Sequence, residues 1–138
     1  MLTEQDLIAE ILSESKTIAV VGLSSKASRP SHGVAAYMQA SGYRIIPVNP
    51  REAGATILGE ICYPDLLQAA AHHQIDIVDC FRNAVDIPPI VEQAIAIRAP
   101  YLWMQSGIVN QEAAQRARQA GIKVVMDRCI KIEHGYRS

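Results

Sequence analysis

The sequence predicts an α/β domain built on a Rossmann-like, doubly wound, mainly parallel sheet of about five or six strands with helices on both faces. Three observations carry that expectation. Short, continuously apolar runs such as Thr17-Ile18-Ala19-Val20-Val21-Gly22 have the character of strands buried on both sides, as strands of parallel sheets are. These runs alternate with amphipathic segments of helical period, which right-handed crossovers distribute over the two sides of a sheet. The 138 residues, 49% apolar and 20% charged, fit one globular domain over 1–138 and leave no room for a second. A chain of this size buries roughly 70% of the surface its unfolded form exposes, a core that needs neither disulfide nor metal.

In chain order, Thr3 and Asp6 form a helix start, and Leu7, Ile8, Ile11 and Leu12 continue it at helical spacing until Ser13-Glu14-Ser15 breaks the pattern. The first strand follows, Thr17 to Gly22. Pro30 suits a helix's first turn, where its missing N–H is not needed, and Val34, Ala35 and Met38 mark the buried face of a helix that runs to about Ser41 before Gly42 stops it. Tyr43 to Val48 is the second strand. Asn49-Pro50, Gly54 and Gly59 make the next segment irregular, with Ile61-Cys62-Tyr63 as a short strand inside it. Asp65 caps a brief helix through Ala71, and Asp76 to Phe81 is a further strand. Pro88 and Pro89 open a helix through Ala99, and Tyr101 to Met104 returns to the sheet. Asn110 caps a helix ended by Gly121, and Ile122 to Met126 is the last strand.

Composition narrows the function. Thirteen basic residues against 14 acidic ones give a formal charge of −1, scattered along the chain, which argues against a nucleic-acid or polybasic membrane partner. No apolar run approaches the ~20 residues of a spanning helix. The acidic opening Met1-Leu2-Thr3-Glu4-Gln5-Asp6 lacks the basic start of a signal peptide, so a cytoplasmic location is expected. Cys62, Cys80 and Cys129 are odd in number and widely spaced, as in a reducing compartment, and form no metal motif.

In an open doubly wound sheet, ligands bind beyond the carboxyl ends of the strands. The loop after strand 1 is the richest of the candidate loops there, with Ser24, Ser25, Lys26, Arg29 and Ser31 at or just before a helix N-terminus. Unpaired N–H groups, hydroxyls and two cations make it a phosphate cradle; the alternative is a solvated loop whose serines only cap the helix. The dinucleotide fingerprint GxGxxG is missing, since no second glycine follows Gly22 until Gly33. The end of strand 2 reads Pro47-Val48-Asn49-Pro50, without the carboxylate that binds the ribose hydroxyls of NAD. Asn49 can hydrogen-bond, Pro50 can pack on an adenine, and Arg51 can meet an extra phosphate, so the ligand class shifts toward a phosphorylated ribose.

These residues, together with Ile57-Leu58-Gly59-Glu60, Phe81-Arg82, Gln105 with Gly107-Ile108, and Met126-Asp127-Arg128-Cys129, occur in an order and spacing that resembles the small stand-alone CoA-binding proteins over nearly the whole chain. That family is similar in fold to the CoA-binding domain of the succinyl-CoA synthetase α-subunit. The resemblance implies coenzyme A, or an acyl-CoA, as ligand. It also implies that, in the cofactor-binding loop that starts at Gly22, Ser24, Ser25, Lys26, Arg29 and Ser31 hold phosphates, with Asn49 and Pro50 at the adenosine, Phe81 and Arg82 at the middle of the cofactor, and Gln105 on the pantetheine side. Ser106 departs from the more apolar residue expected between Gln105 and Gly107. A ligase also needs a phosphohistidine domain and an ATP-grasp partner, for which one sheet leaves no room, so the expected role is non-catalytic or accessory. An NAD(P)-dependent oxidoreductase and a regulatory subunit of an acyl-CoA assembly are the alternatives; a protein partner is left open.

Among the remaining reactive residues, Cys129 stands between Arg128 and Lys131, cations that would favour a nucleophilic thiolate able to form a mixed disulfide with CoA; the alternative is a small buried apolar residue. Cys62 and Cys80 are expected in the core. His72-His73 point to different sides of a helix without further ligands, so no metal is expected. His32 reads as a surface imidazole, and His134 lies in a basic, polar tail. Asp76, Asp79 and Asp127 are expected as caps or turn residues.

Overall fold

The computed structural model describes residues 2–137. Helix α1 (Glu4–Glu14) opens on a capping box in which the Thr3 hydroxyl accepts from the Asp6 N–H and the Asp6 carboxylate accepts from the Thr3 N–H, each at 3.0 Å. It runs to Glu14, past the predicted break at Ser13. The elements that follow are β1 (Thr17–Val21), α2 (Pro30–Ala40), β2 (Arg44–Val48), a 3₁₀ turn (Pro50–Glu52), β3 (Thr56–Ile57), β4 (Glu60–Ile61) and α3 (Leu66–Ala70). Then come β5 (Ile77–Cys80), a second 3₁₀ turn (Ala84–Asp86), α4 (Ile87–Ala96), β6 (Tyr101–Met104), α5 (Gln111–Gln119), β7 (Lys123–Val125) and α6 (Ile130–Gly135).

Five strands form one parallel sheet in the order β2-β1-β5-β6-β7, the predicted Rossmann-like α/β architecture. The two-residue period of each strand divides its apolar side chains between two cores. Ile18, Val20, Ile45, Ile77, Trp103 and Val125 face α1, α2 and α6, while Ala19, Val21, Ile46, Val78, Leu102 and Val124 face α3, α4 and α5. Coverage of both faces is why the strands read as unbroken apolar runs rather than as alternating ones. Trp103 is fully buried and donates its indole N–H to the Arg128 carbonyl at 2.8 Å, tying β6 to the approach to α6.

The structure departs from the expectation at four places, one of them Asp79, expected as a cap or turn residue and found buried in the middle of β5. The segment predicted as one short strand over Ile61-Cys62-Tyr63 is instead an antiparallel hairpin of β3 and β4, with a single parallel bridge from Tyr63 to Val48. The polar tail that carries His134 is helical: α6 buries Ile130 and packs on α2, where the His134 Nδ1 lies 3.0 Å from the Tyr37 hydroxyl. Asp76 precedes β5 rather than belonging to it, and its Oδ2 accepts from the N–H groups of Lys16 and Thr17 at 2.9 and 3.0 Å.

That last contact pins the start of β1 to the start of β5, with one carboxylate oxygen serving two main-chain donors. Replacing Asp76 with alanine is expected to destabilise the fold by about 1–3 kcal/mol, since both donors lose a charged partner. Thermal unfolding should read this as a melting temperature lower by roughly 3–10 °C.

Candidate functional site

In chain order the five strands run 2-1-3-4-5, so the switch point of the sheet lies between β1 and the strand that crosses back to its other side, β5. The exit from β1 leads to α2 on one face, and the exit from β5 leads to α4 on the other. The strand ends therefore part, and a cavity of about 590 Å³ opens beyond them. Its lining comes from the three loops that leave β1, β2 and β5: Gly22, Ser24, Lys26, Arg29 and Ser31, then Asn49, Arg51 and Glu52, then Phe81 and Arg82.

Gly22 makes this junction possible. Its φ is +92°, and a Cβ built on it would lie 3.0 Å from the Phe81 carbonyl oxygen and 3.0 Å from the Arg82 Cδ. Only glycine accepts both the left-handed backbone and the close approach of the β5 exit. Beyond it, the loop is braced from within. The Ser24 N–H donates to the Ser31 hydroxyl at 3.1 Å, the Lys26 N–H to the Ser24 hydroxyl at 3.1 Å, and the Asn49 amide to the Leu23 carbonyl at 3.1 Å. Asn49 also accepts from the Arg51 N–H at 3.0 Å, which forms the 3₁₀ turn. Ser31 and Asn49 are thus buried members of the scaffold that also border the cavity.

Cations gather at this end of the molecule. Lys26, Arg29 and Arg51 are exposed at one cavity and form no ion pair with any described residue; Arg44, Arg116, Lys123 and Arg128 are paired with carboxylates, and the other unpaired cations, Lys16, Arg98, Arg118 and Lys131, lie outside it. Arg82 reaches Asp86 at 3.5 Å. Helix α2 begins with Pro30 and, like α4 and α6, has no side-chain cap, while α1, α3 and α5 are capped by Thr3, Asp65 and Asn110. Unpaired guanidinium and ammonium groups beside an uncapped N-terminus suit an anion with several oxygens.

A second, smaller cavity of about 180 Å³ shares Gly22 and Arg82 with the first and extends it over an apolar wall of Val21, Val48, Pro50, Pro64, Leu66 and Ile90, with Asp65, Asp86 and Gln93 also lining it. Pro50 borders this annex, not the charged basin. Ser25 lines neither: its N–H donates to the Glu52 Oε2 at 2.9 Å. Hydrogen bonding by Ser25, with Lys26 nearby, holds the Glu52 carboxyl below its ordinary value. Sequence reasoning missed Glu52, because a search for a carboxylate at the tip of β2 stops at Asn49. The 3₁₀ turn that Asn49 caps folds the next acid back into the site, so the Asn-Pro pair was the available signal.

Gln105 and Cys129 lie apart from both cavities. Gln105 is buried, its amide donating to the Asp79 Oδ1 at 2.6 Å and its carbonyl accepting from the Ile130 N–H at 3.3 Å. Cys129 is half-buried before α6; Arg128 is held by Glu4 and Glu133, and Lys131 stands 5.3 Å over the Tyr37 ring. Cys62 and Cys80 are buried, and burial raises both thiols. His72 stacks on Tyr63 and His73 meets its hydroxyl, away from the cavity. Asp127 accepts from the Gly107 N–H at 2.7 Å, tying the β6 and β7 exits together.

Residues 16–135 match the family described as CoA binding domain. The chain is similar to protein YneT of Bacillus subtilis, 45% identical over 127 residues that cover 92% of this chain and 91% of that one. A solved structure from Thermus thermophilus, cell-free ID.343, superposes with a TM-score of 0.90 at 39% identity over 98% of both chains. An acetyl-coenzyme A synthetase of Candidatus Korarchaeum cryptofilum shares the fold alone, at a TM-score of 0.70 and 19% identity over 84% of this chain and 27% of that one.

Two predictions come from this geometry. Gly22→Ala should destabilise the protein by roughly 1–3 kcal/mol through backbone strain and the clash with Phe81, read by chemical denaturation. Burial pushes Asp79 from its ordinary 3.8 up to about 7. Between those values the folded state keeps a proton that the unfolded state has released, so stability falls as pH rises from about 4 and levels off above about 7, a total on the order of 4 kcal/mol. Asp79→Asn should flatten that fall, measured as melting temperature against pH.

Proposed function

Because this chain belongs to the CoA-binding domain family, we propose that it binds coenzyme A or an acyl-CoA at the switch-point cavity, as a non-catalytic or accessory protein. The single observation that carries this reading is the cluster of cations without carboxylate partners, Lys26, Arg29 and Arg51, around the Gly22 junction. CoA carries about four negative charges, and a phosphate monoester contributes up to about two of them. Three unpaired cations, a fourth shared with Asp86 and an uncapped helix start offer a matching number of donors.

In this reading the diphosphate lies against the loop from Ser24 to Ser31, where a side chain at position 22 would fill the space. Arg51, on the β2 side, meets the ribose phosphate. The adenine takes the annex, where the apolar wall of Pro50, Val48 and Ile90 suits the face of a flat heterocycle and Asp65, Asp86 and Gln93 offer polar groups to its edge. Phe81 and Arg82, which face the basin from β5, border the middle of the cofactor. A micromolar complex needs about 8 kcal/mol, and charge-assisted hydrogen bonds of about 1.5–3 kcal/mol each reach that figure with few contacts.

Calorimetric titration with CoA, acetyl-CoA, NAD and NADP tests the reading. CoA or acetyl-CoA should bind in the micromolar range or tighter, with the nicotinamide coenzymes at least tenfold weaker. The double substitution of Lys26 and Arg29 by alanine should weaken CoA by about 100-fold, as two charge-assisted contacts are lost, and leave the circular dichroism spectrum unchanged. Tight NADP binding with none for CoA would reverse the assignment.

A further inference from the structure

One carboxylate stands in the basin of cations. The Glu52 Oε2 accepts the Ser25 N–H at 2.9 Å across the gap between the β1 and β2 exits. An anionic oxygen on a main-chain donor beside a lysine is the chemistry by which a phosphate oxygen is recognised. This bond is not the loop's only brace. Asn49 already joins the two exits through the Leu23 carbonyl, and Ser31 already holds the Ser24 N–H. Glu52 itself is only half-buried, on an unbranched side chain in an exposed turn.

Resting on the reading of this basin as the seat of the CoA phosphates, we propose that Glu52 is an internal stand-in for the ligand, a carboxylate that holds the Ser25 N–H in the empty protein and must be displaced by a phosphate. The donor has one hydrogen, and two anions brought to it repel. Glu52 therefore acts as a charge filter. A ligand bearing a diphosphate and a phosphate monoester outcompetes one carboxylate, while a weakly charged ligand does not. The residue sets the affinity threshold of the site and with it the class of ligand admitted.

The test is calorimetry at low ionic strength on the wild type, Glu52→Gln and Glu52→Ala, with CoA, inorganic pyrophosphate and adenosine as separate probes. Glu52→Ala should bind CoA and pyrophosphate about tenfold more tightly than the wild type, the equivalent of losing one charge-assisted competitor at the low end of its range. Glu52→Gln should gain less, because its amide oxygen still accepts from Ser25, and adenosine should bind all three alike. Equal or weaker binding of both anions to Glu52→Ala, with an unchanged circular dichroism spectrum, overturns the proposal and makes Glu52 a brace. The two readings fail separately. Tighter pyrophosphate on Glu52→Ala with no CoA binding by any variant removes the CoA assignment alone, and CoA binding by the wild type with no gain in Glu52→Ala removes the filter alone.

Discussion

The approach of the Gly22 backbone to the Phe81 carbonyl is the constraint on which the site depends. Parallel neighbours β1 and β5 lie side by side along their whole length, yet their continuations serve helices on opposite faces of the sheet. The chains must separate within one residue of the strand ends, and the first residue past β1 has to turn with a positive φ while passing within contact distance of the β5 exit. A side chain at that point would push the exits apart and fill the floor of the basin. The cavity is thus a consequence of strand order, and glycine is what keeps it open.

Electrostatics then decide what the opening suits. With a net charge of −1, the protein has no global field that draws in anions, and attraction beyond a Debye length of about 10 Å is screened in any case. Selectivity rests on local pairing. Around the rest of the surface, Arg44, Arg116, Lys123 and Arg128 are neutralised by Glu60, Glu92, Glu10 and Glu4, while Lys16, Arg98, Arg118 and Lys131 form no ion pair with a described residue. The basin differs in bringing three such cations to one cavity, so an anion there breaks few existing ion pairs. The exceptions are Asp86 against Arg82 and Glu52 against Ser25, and both sit on short 3₁₀ turns that flank the opening.

The main sheet was legible because its strands are buried on both faces, which leaves a run of apolar letters that needs no tertiary knowledge to find. The same holds for the β1 exit, where glycine, serines and cations precede a helix-initiating proline. What escaped was settled by contacts distant in sequence. Helix α6 has six residues, too few to hold by itself, and exists because Ile130 enters the core and His134 reaches Tyr37, 97 residues away. Gln105 looks like a ligand-facing residue at the end of β6, but Asp79 lies buried on β5 beside it and requires a donor. No local pattern announces an aspartate in the middle of a sheet; the flanking apolar residues show burial but not the partner. The β3–β4 hairpin was blurred by its length, two residues per strand, below what alternation can reveal.

The position of the acid near β2 bears on which nucleotide suits this sheet. A nicotinamide site wants a carboxylate on the last residue of that strand, aimed along the sheet edge at a ribose diol. Here the strand ends on Val48 and is followed by Asn49, whose side chain is spent on the Leu23 carbonyl and the Arg51 N–H, and whose geometry starts a turn. The turn moves the nearest acid away from the sheet edge and across the cavity to the loop after β1, and it leaves Arg51 at the rim. A diol would thus lack its free acceptor, while an additional phosphate would find a cation. In the proposed reading, one asparagine, by capping a turn where an acid would serve a diol, shifts the balance of the site from hydroxyl recognition to phosphate recognition.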